Sequence, residues 1–505
     1  MKSSFLRSVL FGFMSWVLPL ALTFIATPLV VRGLGIEEFG LYALVLGFIS
    51  YSFTFSVGRA VTKYVAEYKA TGQSEKIREV LSATLWLNII VGAGGALILC
   101  FLAPWLVSNV FGIKPEFQEK AVIAFYLAAS TVFFLTLSQV FSAVIQAVQR
   151  FDVFSYITTA VAVSSVSGNI ILVLLGHGLV DLLVWNLLNT TLSCVFFYIA
   201  GKKLLPEARW NLYCRRESLL LIAKFTAGIA VYQFLFNFLL LFERGLITGT
   251  MGTENLTYYV VPMNITGQIH GFSSSLLLMI FPLASELGAT METERLLSIY
   301  KRVSKYIFAL VTFIVLSLCV SGHEFFRLWL SLDFADKTYK IVAIQAVTFG
   351  IIAVGIVTWQ MMEGLGFTNR NAVLTVLWVA VSITAMIILS PILKLEGVGI
   401  GRLLGCVLML IYILIVEKWV FGKPLWSFWL QIGFSLSIAA GFAALLEYAW
   451  LKNFSFGWLG FLIGIGFGGI GYLTGLIATR FLNVEERRSL QNTFFRFLPQ
   501  FSENK

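Results

Sequence analysis

Arg59, Glu243, Arg244 and Arg402 place ionisable groups inside or at the ends of long apolar stretches, and Lys63 follows Arg59 by about one helical turn. A charge in hydrocarbon is costly, so such residues end up paired, facing water or at work. A guanidinium presents a planar fork of donors that can hold two oxygens of a phosphate at once. A carboxylate such as Glu243 can titrate and so serve ion coupling. Glu243 and Arg244 are adjacent in FLLLFERGLITG, so on a helix they point about 100° apart and need not pair with each other. Asn264 and Gln268 are one turn apart on one face. With Gln233, Asn237, Gln345 and Gln360 they could line a wet cavity.

Each position also has a plainer reading. Arg59 can snorkel to cytoplasmic water. Glu243 and Arg244 can form a structural pair near the outer interface. An interfacial anchor explains Arg402 better than a ligand contact does, and Lys63 fits a charge that holds its loop inside equally well. Asp181 reads as a helix cap and His270 as a packed side chain rather than a proton relay. The five cysteines (Cys100, Cys194, Cys214, Cys319, Cys406) and three histidines (His177, His270, His323) are scattered. No metal or redox spacing arises, and no catalytic constellation is expected.

The elements that position these groups are membrane spans. Hydrophobic residues make up 58% of the 505-residue chain, charged residues 12%, and the mean hydropathy is +0.88. Too little charge remains to cover a soluble surface, so the apolar side chains must face lipid. Runs of roughly twenty apolar residues match helices across a bilayer rather than alternating barrel strands. The pattern predicts an all-α polytopic protein of about fourteen spans. They fall near 8–31, 39–61, 81–103, 121–145, 153–175, 180–200, 222–248, 257–281, 303–321, 341–362, 372–390, 397–416, 429–447 and 458–478. Asp181, Asn186 and Asn189 interrupt the sixth. Pro19, Pro28 and Pro262 should bend their helices, and the glycines at 92, 94, 95, 464, 466, 468 and 469 permit close packing.

The net charge of +10 reflects basic cytoplasmic loops rather than a nucleic-acid partner. Segments 62–80, 201–224, 284–305 and the tail hold most Lys and Arg, which places both termini in the cytoplasm. Met1 to Arg7 is a basic lead into the first span rather than a cleavable signal. Trp105, Trp329, Trp426, Trp450 and Trp458 sit near span ends, as an aromatic belt would. The outer loops, 104–120 and 322–340 at longest, are too short for a soluble domain.

The two halves resemble each other. LGIEEFGLYA (34–43) aligns with MGTENLTYYV (251–260), ATGQSEK (70–76) with ATMETER (289–295), and Ile145–Asp152 with Met362–Asn369. All three fall at a near-constant offset of about 217 residues, which predicts a six-helix unit used twice. Six is even, so the repeat is parallel, with substrate expected between the halves. The expected domains are a six-helix bundle at 1–200, a linker at 201–224, a second bundle at 225–416, an appended helix pair at 429–478 and a tail at 479–505. The tail reads as an amphipathic interfacial helix or a loose end.

TPLVVRGLGIEEFGLYAL (27–44) resembles the signature after the first helix of the polysaccharide-transporter flippases. These share a superfamily, the MOP exporters, with MATE drug exporters and lipid II flippases. SVGRAVTKYVAE (56–67), ATGQSEKIREVL (70–81) and IQAVQRFD (145–152) extend the likeness. The resemblance implies two bundles around a cavity with alternating access in the bacterial cytoplasmic membrane. It implies a polyprenyl-pyrophosphate-linked oligosaccharide as cargo, with no cofactor. Coupling to protons, sodium or the membrane potential stays open, as does the glycan. Membrane lipids and a polymerase with its assembly machinery are the further partners it implies. On this footing Arg59, Arg244, Lys63 and Arg402 would meet the pyrophosphate, Asn264 and Gln268 the sugar, and Glu243 the coupling ion. Rival readings are a MATE-type cation antiporter, an uncoupled scramblase, and a membrane glycosyltransferase or ligase, which the short outer loops disfavour.

Overall fold

The computed structural model describes residues 21–51, 57–206, 215–277, 280–454, 457–481 and 486. Every regular element among them is helical. The first eight are α1 (Ala21–Leu34), α2 (Ile36–Tyr51), α3 (Val57–Ala70), α4 (Ser74–Trp105), α5 (Pro115–Ala147), α6 (Phe151–Leu174), α7 (Leu179–Leu204) and α8 (Arg216–Met251). The rest are α9 (Thr253–Thr266), α10 (Gln268–Leu276), α11 (Ile280–Ala289), α12 (Thr293–Trp329), α13 (Leu332–Gly364), α14 (Thr368–Phe421), α15 (Trp426–Asn453) and α16 (Gly457–Ala478).

Ten helices among the described residues are long and apolar enough to cross a membrane, so this is an all-helical multi-pass membrane protein. That count falls short of fourteen for reasons specific to four places. The first begins in residues outside those described, and residues 52–56, also outside them, interrupt the second. The stretch 257–281 covers α9, α10 and the start of α11: α9 runs through Pro262, Gly267 keeps helical dihedrals with its amide donating to the Met263 carbonyl at 2.8 Å, and residues 278–279 lie outside those described. Spans 372–390 and 397–416 are the two arms of α14, folded back on each other at Lys394 just past Pro391: a methyl on Gly401 would lie 2.6 Å from the Met386 amide nitrogen, and Tyr412 Oη donates to Asn371 Oδ1 at 2.6 Å. Asp181 is not a cap: α7 starts after Gly178, and Asp181 sits in its first turn beside His177 at 3.2 Å. Trp329 is not a belt residue. It is 4% exposed and packs among Phe325 and Phe326.

Two compact units emerge. Unit 1 comprises residues 1–260 with 387–398; unit 2 comprises 261–386 with 399–505. In unit 1, α5 is the hub on which α2, α3, α4 and α7 pack. Its Ala124, Ala128, Ala129 and Ala143 are buried, and such small side chains let neighbouring backbones approach. In unit 2, α13 is the core helix. Of its most apolar window 78% is buried, against 11% for α6 in unit 1. α10, α11 and α12 lie on α13, and α15 and α16 pack on each other and on α12.

Positive-φ residues recur at close to the offset of the matched sequence segments. Positive φ occurs at Gly35 (79°) and Gly252 (90°), at Gly72 (70°) and Met291 (56°), at Gln149 (59°) and Gly366 (83°), and at Gly176 (83°) and Lys394 (51°). The first three pairs sit within or beside the matched sequence segments. The fourth shows that the break in α14 occupies the same place as the turn between α6 and α7.

Candidate functional site

In unit 1, α8 carries Glu243 and Arg244 side by side, 1% and 5% exposed. Arg244 lies against α2. Its guanidinium stands 5.0 Å from the Tyr51 ring centroid, and Nη1 donates to the Leu240 carbonyl at 3.2 Å. Gly47 makes this possible, since a methyl there would sit 2.5 Å from Arg244 Cδ. Arg244 Nε has no hydrogen-bond partner among the described residues. A guanidinium held by an aromatic face and one carbonyl keeps donors free for an anion. Glu243 is buried as deeply, on a different face.

Arg59 lies on α3, where its side chain falls outside the described residues. Lys63, one turn on, is exposed, with its ammonium 5.0 Å from the Tyr64 ring.

Sequence reasoning missed a polar network nearby. The Tyr42 hydroxyl accepts from Asn169 Nδ2 at 3.2 Å and Asn186 Nδ2 at 3.0 Å, and Ser165 donates to Asn186 Oδ1 at 2.9 Å. This ties α2, α6 and α7 together. Asn186 was visible as an interruption of its apolar stretch; Tyr42 and Asn169 gave no separate signal.

The two repeat segments meet where α2 crosses α9. Thr257 Oγ1 donates to the Ile36 carbonyl at 2.5 Å, and a methyl on Gly40 would lie 1.8 Å from the Thr253 carbonyl oxygen. Ile36 matches Thr253 in the alignment, and Gly40 matches Thr257, so each half gives the other the same pair of positions. Glu37 and Glu38 are held by Lys114 at 2.9 Å and Lys120 at 2.7 Å. That hydrogen bond to Glu37 raises the Lys114 pKa above its ordinary value.

In unit 2, Arg402 is 2% exposed, which argues against an interfacial anchor. Its guanidinium lies 5.0 Å from the Phe349 ring centroid on α13 and reaches Met263 Sδ on α9 at 3.8 Å. Asn264 follows Met263, and Gln268 Nε2 donates to the Asn264 carbonyl at 3.1 Å. Arg402 is thus brought to the end of α9, beside Asn264, with Gln268 opening α10 just beyond. Gln345 is 2% exposed.

Glu417 is another residue the sequence did not single out. It is fully buried and accepts from Tyr300 Oη at 2.9 Å, Trp429 Nε1 at 2.6 Å and the Leu425 amide at 2.8 Å. It joins α12, α14 and α15. Beside it is an apolar cavity of about 470 Å³, lined by Phe308, Val315, Val354, Leu410, Trp426 and Trp429 among others.

These features describe a polytopic transporter fold with buried cations in each unit, and the chain belongs to the polysaccharide biosynthesis protein family, whose profile matches residues 29–339. A Shigella flexneri protein provisionally named as an O-antigen transporter is 18% identical over 376 residues, covering 74% of this chain and 87% of its own. Two solved structures share the fold. The lipid II flippase MurJ, inward closed, superposes with TM-score 0.70 at 14% identity, covering 92% of this chain and 99% of its own. An inward-facing multidrug MATE transporter of the MOP superfamily gives 0.68 at 17%, covering 79% and 95%. These relatives are transporters, not enzymes.

Proposed function

We propose that this protein is a flippase that carries polyprenyl-pyrophosphate-linked oligosaccharide from the cytoplasmic to the outer leaflet of the bacterial cytoplasmic membrane by alternating access. The single observation that carries this is Arg244: a buried guanidinium with an unpartnered Nε, in a member of the polysaccharide biosynthesis family. Moving a pyrophosphate through hydrocarbon requires cations already in place, because an unpaired charge there costs many kcal/mol. In this reading Arg59, Arg244, Lys63 and Arg402 meet the phosphates, Asn264 and Gln268 face sugar, and Glu243 titrates with the coupling ion. The chain spans the membrane about fourteen times, as two parallel halves (1–200 and 225–416) joined by 201–224, with the appended pair at 429–478 and both termini cytoplasmic. The positive-φ pairs support the two halves.

Loss of the protein should leave a lipid-linked sugar accumulating on the cytoplasmic leaflet. If none accumulates and dye efflux falls instead, the drug-antiporter reading, which the MATE likeness favours, takes its place. Arg59→Ala and Arg244→Ala should each impair flipping at normal membrane levels.

A further inference from the structure

The appended pair hides a carboxyl group that none of the roles above uses. Glu447, on α15, is fully buried where α12, α15 and α16 meet. Its Oε2 accepts from Ser317 Oγ on α12 at 3.2 Å, and the Ser321 hydroxyl, one turn on, lies within reach while donating to the Ser317 carbonyl at 2.6 Å. Its Oε1 has no hydrogen-bond partner among the described residues. The opposing wall is α16, and a methyl on Gly468 would sit 2.5 Å from Glu447 Oε2 and 3.2 Å from its Cβ. A glycine slot has been left for this side chain, which gives one of the glycines in the GIGFGG run a purpose.

Among the described residues no counter-ion faces the slot. On α15 the neighbouring titratable groups are Tyr448 and Lys452, and Lys452 is exposed near the helix end. On α12 they are Cys319, His323, Glu324 and Arg327. His323 is held by Asp336 at 2.7 Å, and Arg327 is paired with Glu324. On α16 the Tyr472 hydroxyl donates to the Ala309 carbonyl at 2.7 Å. None of these pairs with Glu447. A buried, ionised carboxylate with one bare oxygen and only hydroxyl neighbours is expensive, whereas the neutral acid is tolerated.

We propose that Glu447, with Ser317 and Ser321, is a proton-binding site in the appended helices, loaded when α16 is seated through Gly468 and released when α15 and α16 loosen from α12. Occupancy and seating are linked, because the proton binds the seated arrangement better than the loosened one. The site requires a membrane transporter but not a sugar cargo, so its failure and that of the flippase reading are separable.

The test uses the full chain in lipid nanodiscs, without cargo. Dicyclohexylcarbodiimide reacts with protonated carboxyl groups in apolar surroundings, and peptide mass spectrometry reads the modified residue. Glu447 should be labelled in the native protein, with labelling falling roughly tenfold per pH unit once the midpoint is passed. Glu447→Gln should abolish it. Ser317→Ala, which keeps the carboxyl but removes a donor to its charged form, should extend labelling to higher pH and covers the case in which Glu447→Gln fails to fold. Gly468→Ala should alter labelling at fixed pH by unseating α16. No labelling of Glu447 between pH 5 and pH 9 overturns the proposal, as does labelling that ignores pH. Protection by sodium chloride but not by an equal concentration of choline chloride also overturns it, in favour of a sodium site.

Discussion

Gly40→Ala tests the crossing of α2 and α9 directly. A methyl at Gly40 would stand 1.8 Å from the Thr253 carbonyl oxygen, 2.6 Å from its carbon and 2.9 Å from Thr257 Oγ1. An ordinary C···O contact needs about 3.3 Å, so the two backbones must part by roughly 1.5 Å. That parting stretches the bond from Thr257 to the Ile36 carbonyl, now 2.5 Å, beyond hydrogen-bond range. Relief cannot come from a rotamer, because the obstacle is backbone. Overpacking of this kind costs about 1–3 kcal/mol. If the crossing is the outer seal of an alternating-access cycle, that cost falls only on the sealed state and shifts its population about 5- to 150-fold. The assay is disulfide formation between Ile36→Cys and Thr257→Cys in a background whose five native cysteines are serine. Gly40→Ala should lower the cross-linked fraction and slow flipping at normal expression. Gly94→Ala, in α4, is the control: a methyl there meets nothing within 4 Å, so it should change neither. Cross-linking at the level of the parent with Gly40→Ala in place would refute the reasoning.

Arg244→Lys keeps a charge but loses the fork and the flat face on Tyr51, so flipping should fall, by less than in Arg244→Ala, with membrane levels unchanged in both. Glu417→Ala strands the Tyr300, Trp429 and Leu425 donors at about 1–3 kcal/mol each; thermal unfolding in detergent should show a loss of several kcal/mol. Glu417→Gln, which keeps one acceptor, should lose less. Tyr42→Phe removes the common acceptor of Asn169 and Asn186 and should cost about 1–3 kcal/mol in the same assay, a smaller loss than Glu417→Ala.

Span locations were legible because hydropathy over twenty residues is a strong, local signal. The turn between 372–390 and 397–416 was legible for the same reason, and Lys394, at positive φ just past Pro391, is where the chain folds back. Candidate residues were legible only as chemistry out of place. Arg244 and Glu243 stood out because charge inside an apolar run is rare. The anchor reading of Arg402 misled because its position at the edge of a run says nothing about which helices cover it, and α13 and α9 do. Tyr42, Glu417 and Glu447 went unnoticed for another reason. A tyrosine in a span is ordinary, and a glutamate at a span end looks like an exposed residue until the neighbouring helices are placed.

The matched positive-φ residues carry a practical consequence. The two matched stretches share four chain reversals while nearly all their letters differ, and in three of the pairs one member is not glycine: Met291, Gln149 and Lys394. An L-residue held at positive φ costs about 1–2 kcal/mol, of which glycine would recover part after its own entropic cost. The glycine member of each pair is thus a guide to repair. Placing glycine at these corners should give a sturdier chain for reconstitution.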